Sequence, residues 1–135
     1  MTGTQILLVK NSWKLLRNLD HILIGDVFYG KLFVDAPHLK HLFKHPLEVQ
    51  SKKLIDMLNF IVSHLDNIEK LNEEIGQLSI RHIKYGVQAI HYDAVGNALL
   101  WTLKHGLGRD WNEDVKEAWA ICYQNLSMAM KNASR

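Results

Sequence analysis

Apolar residues recur along this chain at steps of three and four. Val115, Ala118, Trp119, Cys122, Tyr123, Leu126 and Met130 form one stripe, and Asp114, Lys116, Glu117, Gln124 and Lys131 fall on the opposite face. That is the pattern of an amphipathic helix about four turns long. Before it, Val95, Ala98, Leu99, Thr102 and Leu103 form a second stripe, which Gly106 is expected to end. Asp110, with Glu113 three residues on, reads as a capping box that starts the final helix. Ile6, Val9, Trp13 and Leu16 predict a first helix, and Asp20 is the expected N-cap of a second carrying Ile24, Phe28 and Leu32. Pro37 fits the first turn of a short helix, where a missing N–H costs nothing. Pro46 opens the next helix, with Leu54, Met57, Leu58, Ile61 and Leu65 on one face, and residues 68–83 predict a shorter, more polar helix. No run alternates with period two, and neither Asn-Gly nor Asp-Gly occurs, so strand and hairpin signals are weak. There is no linker, repeat or low-complexity stretch. The expected fold is all-α, a single domain of six or seven helices.

The chain's 135 residues make one domain of ordinary size. Lys plus Arg is 16 and Asp plus Glu is 14, a balance of +2 that gives no electrostatic footprint for nucleic acid or an anionic membrane. With 47% apolar residues the chain is expected to fold rather than stay disordered. The single cysteine, Cys122, forms no internal disulfide, and no apolar run approaches the roughly 18 residues of a membrane span. Met1-Thr2-Gly3-Thr4 lacks a basic leader and Lys10 interrupts the apolar stretch that follows. The expectation is a reduced, cytoplasmic, soluble domain. Two prolines suit helices; eight histidines raise the question of whether one is a ligand.

Taken singly, the chemically interesting residues have plain readings. A lone histidine such as His82 on a helix is usually a surface or satisfied residue. Tyr29 and Phe43 on apolar faces read as core, and Gln50 on an amphipathic helix reads as solvated. His38, His41, His45, His64 and His105 read as exposed, Glu73-Glu74 as a solvated face, and Cys122 as a small buried hydrophobe. Asn132-Ala133-Ser134 fits a glycosylation sequon without a secretion signal. Neither a Gly-rich phosphate loop nor a nucleophile elbow is present.

Taken together, order and spacing form a pattern. Trp13 sits in the first helix and Phe28-Tyr29 in the second; Phe43 follows Pro37 by six residues, Gln50 follows Phe43 by seven, and Leu54 comes one turn on. His82 stands 82 − 50 = 32 residues beyond Gln50, inside Arg81-His82-Ile83-Lys84-Tyr85-Gly86-Val87, and His91-Tyr92-Asp93-Ala94-Val95-Gly96 comes next. From about Thr4 to about Lys131 the chain resembles a globin, in particular the bacterial single-domain globins and the globin domain of flavohaemoglobins. The resemblance implies a globin fold of six to eight helices, one globin domain over residues 1–135, packed around a pocket for haem b with His82 as iron ligand.

The roles it implies have physical reasons. Haem is a flat apolar disc with two carboxylates at one edge, so it needs an apolar slot between helices. One axial histidine leaves the opposite position of the iron open. The other ring nitrogen of His82 needs an acceptor, for which a carbonyl one turn back, near Leu78, is the default. Phe43 packs flat on the porphyrin, and Val87, Val95 and Leu99 line the slot, residues that read equally as plain core. Tyr92 matches the family's tyrosine near the proximal histidine. Lys53 either reaches a propionate or is solvated. On the distal side Tyr29 offers an O–H and Gln50 an N–H₂ to a captured gas, and Leu54 is a wall that limits entry. Two donors imply tight oxygen binding and slow release. Glutamine is a poor sixth ligand, so an open ferrous iron is expected; a hexacoordinate form needs another side chain, His45 or His41.

The chain departs from flavohaemoglobins in two places. Their FAD- and NAD-binding reductase module is not expected, because the chain stops at Arg135. Their late-helix glutamate has no counterpart in Met130-Lys131-Asn132-Ala133-Ser134, which disfavours peroxidase-like chemistry. Three functions remain open: oxygen binding for storage or transport, nitric oxide dioxygenase activity with an external reductase, and gas sensing. Oxygen and nitric oxide are the implied small partners, and a monomer or weak homodimer is expected.

Overall fold

The computed structural model describes residues 1–84 and 91–133, with the side chains of residues 68, 79–84 and 133 left aside. Its helices are Gly3–Leu16 (α1), His21–Asp35 (α2), Leu47–Ser63 (α3), Ile68–Lys84 (α4), His91–Leu107 (α5) and Glu113–Ala133 (α6). Short 3₁₀ turns span Pro37–Leu42 and Gly108–Asp110, and no strand occurs among the described residues. The all-α expectation holds. No helix among the described residues is long and apolar enough to cross a membrane.

Most boundaries follow local chemistry. Asp20 caps α2 by accepting from the Ile22 N–H at 2.8 Å, as expected. Thr2 and Gln5 form a capping box at α1 that the sequence reading missed. Pro37 occupies the first turn of its 3₁₀ segment and Pro46 directly precedes α3. Two boundaries differ. The cap of α6 is Asn112, whose Oδ1 accepts from the Val115 N–H at 2.9 Å. Asp110 lies two residues too early, inside the turn that the Trp111 N–H closes onto the Gly108 carbonyl. Helix α5 runs through Gly106 to Leu107 and ends at Gly108, whose φ of +55° lies in the left-handed region that glycine accepts without strain. The missing side chain of Gly106 instead makes room for Leu16. Helix α4 is polar, as expected, but at 17 residues it is as long as α3 and α5.

Two tryptophans join α1 to its neighbours. Trp13 and Trp119 meet edge to face with centroids 6.3 Å apart. Both indoles are buried and both N–H groups are satisfied: Trp119 donates to Ser12 Oγ at 2.8 Å and Trp13 to Asn59 Oδ1 at 2.6 Å. These bonds tie α1 to α6 and α3.

Helix α2 crosses α3 where Gly25 meets Ser51. A methyl group on Gly25 would lie 2.5 Å from Ser51 Cβ and 3.1 Å from Ser51 Cα. Ser51 is fully buried and its hydroxyl finds no partner among the described residues. Gly25→Ala gains about 1 kcal/mol of helix propensity, but the collision with α3 outweighs it, and a net loss of about 1–2 kcal/mol is expected in urea denaturation. Ser51→Ala, which removes an unsatisfied hydroxyl, is expected to raise stability by about 1 kcal/mol. A neutral Gly25→Ala would show that the crossing is looser than this.

Candidate functional site

A cleft of about 770 Å³ opens between the helices, within the range of small-molecule and cofactor sites. Leu42, Phe43, Leu54, Met57, Phe60 and Ile61 form one apolar wall; Leu71, Ile75, Leu78, Val95, Leu126 and Met130 form the other. Lys44, His45, Gln50, Lys53, Asp56, Glu74 and His91 supply polar groups around it.

Of the residues singled out in the sequence, Tyr29, Phe43, Gln50, Lys53, Leu54, Leu78, Tyr92 and Val95 all line this one cleft. Residues 29 to 95 come together from the second helix to the fifth. Leu99 is buried in the core and is not part of the cleft wall. Val87 and the side chain of His82 lie outside the described residues. His45 reaches the cleft, whereas His41 is exposed beside it. His64 is half-buried rather than exposed, because its Nδ1 pairs with the Phe60 carbonyl at 2.8 Å and its ring stacks on Phe60. The reading missed Leu71 and Ile75. Their spacing with Leu78, four and three residues, is an apolar stripe within the otherwise polar helix α4. It also missed Phe33, one helical turn after Tyr29, whose ring stacks on the Tyr29 ring.

Tyr29 is set by the α2–α3 crossing, since it lies one turn after Gly25 while Gln50 precedes Ser51. Its hydroxyl donates to the backbone carbonyl of Gln50 at 3.2 Å. Its ring meets Phe28 edge-on at 4.9 Å, stacks on Phe33 at 5.9 Å and meets Phe43 edge-on at 5.2 Å. Phe33 also meets Phe43, at 5.5 Å. Phe43 is thereby held by an aromatic cluster, just where the extended backbone turns the chain out of its 3₁₀ segment. Burial pushes the Tyr29 phenol up to about 12, so it remains a neutral donor at physiological pH.

The opposite wall is braced by α6. The Tyr123 O–H donates to the Tyr92 carbonyl at 2.6 Å. The Tyr123 ring lies over Gly96, where a methyl group would come within 2.7 Å of it. Burial raises the phenols of both Tyr92 and Tyr123. Late in α6, Lys131 Nζ lies 5.9 Å from the centroid of the Tyr92 ring.

Residues 26–130 match the globin family model, and the chain belongs to the globin family. It is 29% identical over 126 residues to the flavohemoprotein of Vibrio cholerae, covering 91% of this chain but only 32% of that relative. It is 31% identical over 145 aligned positions to an anaerobic nitrite reductase of Arabidopsis thaliana, covering 96% of this chain and 91% of the relative. Among solved structures it is similar to an engineered carbene transferase based on a candidate nitric oxide dioxygenase of Rhodothermus marinus. That match has 28% identity and a TM-score of 0.87, and covers 99% of this chain and 93% of the other. The family implies a haem group.

The raised phenols have a measurable consequence. A tyrosine whose folded pKa lies above its unfolded value of about 10 stabilises the fold below that pH, and the contribution is lost as pH rises towards the folded value. Phenolate absorbance at about pH 11 should therefore fall short of four tyrosines, with stability declining from about pH 10 to 12. Tyr29→Phe should remove part of the shortfall. Four phenols all titrating near 10 would contradict the burial of this wall.

Proposed function

We propose that the cleft holds one haem b with His82 as its iron ligand, and that the protein binds oxygen tightly between Tyr29 and Gln50. The observation that carries this reading is that one apolar cleft is lined by Tyr29, Phe43 and Gln50 from α2, the turn and α3 and by Leu78, Tyr92 and Val95 from α4 and α5. Its residues suit the group. The walls are apolar, as a flat macrocycle requires, and Lys44 and Lys53 offer cations to the two propionates. Haem supplies the iron centre at which a diatomic gas is captured.

The chain's own residues do the rest. Leu71, Ile75 and Leu78 line the cleft at steps of four and three, and one further turn of α4 leads to position 82. Phe43, fixed by Tyr29 and Phe33, packs against the macrocycle. Val95 lines the slot, and Tyr92 is held on its wall by Tyr123. Leu54 narrows the way in. Tyr29, neutral because it is buried, has one proton to donate. That proton satisfies the Gln50 carbonyl at 3.2 Å, and with a gas held at the iron Tyr29 and the Gln50 carboxamide would be the residues that donate to it. Each such bond in a dry pocket contributes on the order of 1 kcal/mol, so two slow release by roughly tenfold to a hundredfold.

The similarity to the Vibrio flavohemoprotein and the Rhodothermus protein supports a second reading, oxidation of nitric oxide by captured oxygen. That use requires an electron donor to restore the ferrous state between turnovers. Purified protein should show a Soret band that His82→Ala abolishes or strongly weakens; normal haem content in that variant would refute the iron ligand. Tyr29→Phe should speed oxygen release roughly tenfold, and an unchanged rate would refute its donor role. Fast release together with slow reaction with nitric oxide would exclude the dioxygenase reading.

A further inference from the structure

Helix α2 is apolar on two opposite faces. Its inner face, with Ile24, Phe28, Tyr29 and Leu32, is buried. At about 100° per residue, Leu23, Val27, Gly30 and Val34 point the other way. Leu23 is 59% exposed and Val34 77%; Gly30 is exposed and Val27 half-buried. Their spacing of four, three and four residues is that of a seam between two helices, and a helix apolar all round is normally buried.

Two details shape this face. A Cβ on Gly30 would meet no described atom within 4 Å, so no close approach within the chain calls for glycine there, although glycine weakens an exposed helix. Gly30 therefore leaves a notch, and Val34, one turn on, is a knob. Beside the stripe, Trp101 of α5 is 42% exposed yet fixed: Lys31 Nζ lies 4.6 Å from its ring centroid and the His105 ring 4.2 Å away. Lys31 also pairs with Asp35 at 3.2 Å. A fixed, exposed tryptophan is the kind of residue that anchors interfaces.

We infer that this face docks a second copy of the chain about a twofold axis, with the two α2 helices antiparallel. Its self-complementarity selects that occupant. Reversing one copy sets Val34 over the partner's Gly30 and Gly30 under the partner's Val34. It also brings Lys31 beside the partner's Asp35, so opposite charges meet across the seam. Trp101, held by the same Lys31, closes that edge. The seam is short, so the dimer is weak and forms with rising concentration.

Sedimentation velocity of the purified full chain, from micromolar to millimolar concentration, tests this. A reversible monomer–dimer equilibrium is expected. Val34→Asp and Trp101→Ala should each weaken it about tenfold or more. Gly30→Leu should weaken it by filling the notch, while its monomer, with open space at that position, keeps the native circular dichroism. Lys31→Glu and Asp35→Lys should each lose association alone. An equimolar mixture of those two variants should recover it, because opposite charges then meet across the seam. Met128→Ser, at an exposed position of α6, should change nothing. A chain that stays monomeric across that range, or a dimer that Val34→Asp and Trp101→Ala leave intact, would overturn the inference. The Soret band reads haem binding separately in the same samples, so failure of the dimer is distinguishable from failure of the haem proposal.

Discussion

The close crossing of α2 and α3 at Gly25 and Ser51 sets the geometry on which the site depends. Only a residue without a side chain lets the two backbones approach so nearly, and Ser51 keeps a buried hydroxyl there with no partner among the described residues. One turn after Gly25 comes Tyr29, and one residue before Ser51 comes Gln50. The crossing therefore delivers a phenol and a carboxamide, far apart in sequence, to the same edge of one cleft. It also explains why the Tyr29 hydroxyl reaches the Gln50 carbonyl, a contact between helices rather than within one. Core packing and the proposed chemistry share this joint, so a change that loosens it acts on both.

The second wall depends on a different brace. Tyr123 lies on Gly96 and bonds the Tyr92 carbonyl, so α6 holds the first turn of α5 in place. Lys131 over the Tyr92 ring makes the end of α6 cationic there.

The fold was legible because helical periodicity is a local signal. Asp20 and Pro37 marked their boundaries because caps and first-turn prolines act through neighbouring backbone atoms. The misplacements had local causes as well. Asp110 and Glu113 carry the capping-box residue types, but a 3₁₀ turn absorbed Asp110 and left Asn112 at the cap. Gly106 looked like a stop, yet its role is to admit Leu16 from α1, and the break falls on Gly108. The site was legible through the family resemblance: Tyr29, Phe43, Gln50 and Tyr92 meet at one cleft although no period connects them. The 3.2 Å bond from Tyr29 to Gln50 and the aromatic bracket of Phe33 were not legible. Each depends on how close two helices come, and pattern does not carry distance.

All of this converges on one claim, that the cleft is built for a single haem. Titration of the haem-free protein with haemin, followed in the Soret region, tests it most directly. The account predicts a saturable rise that breaks sharply at one haem per chain, with a ferrous form that takes up carbon monoxide. A gradual, non-saturating increase, or a break at any other ratio, would contradict it.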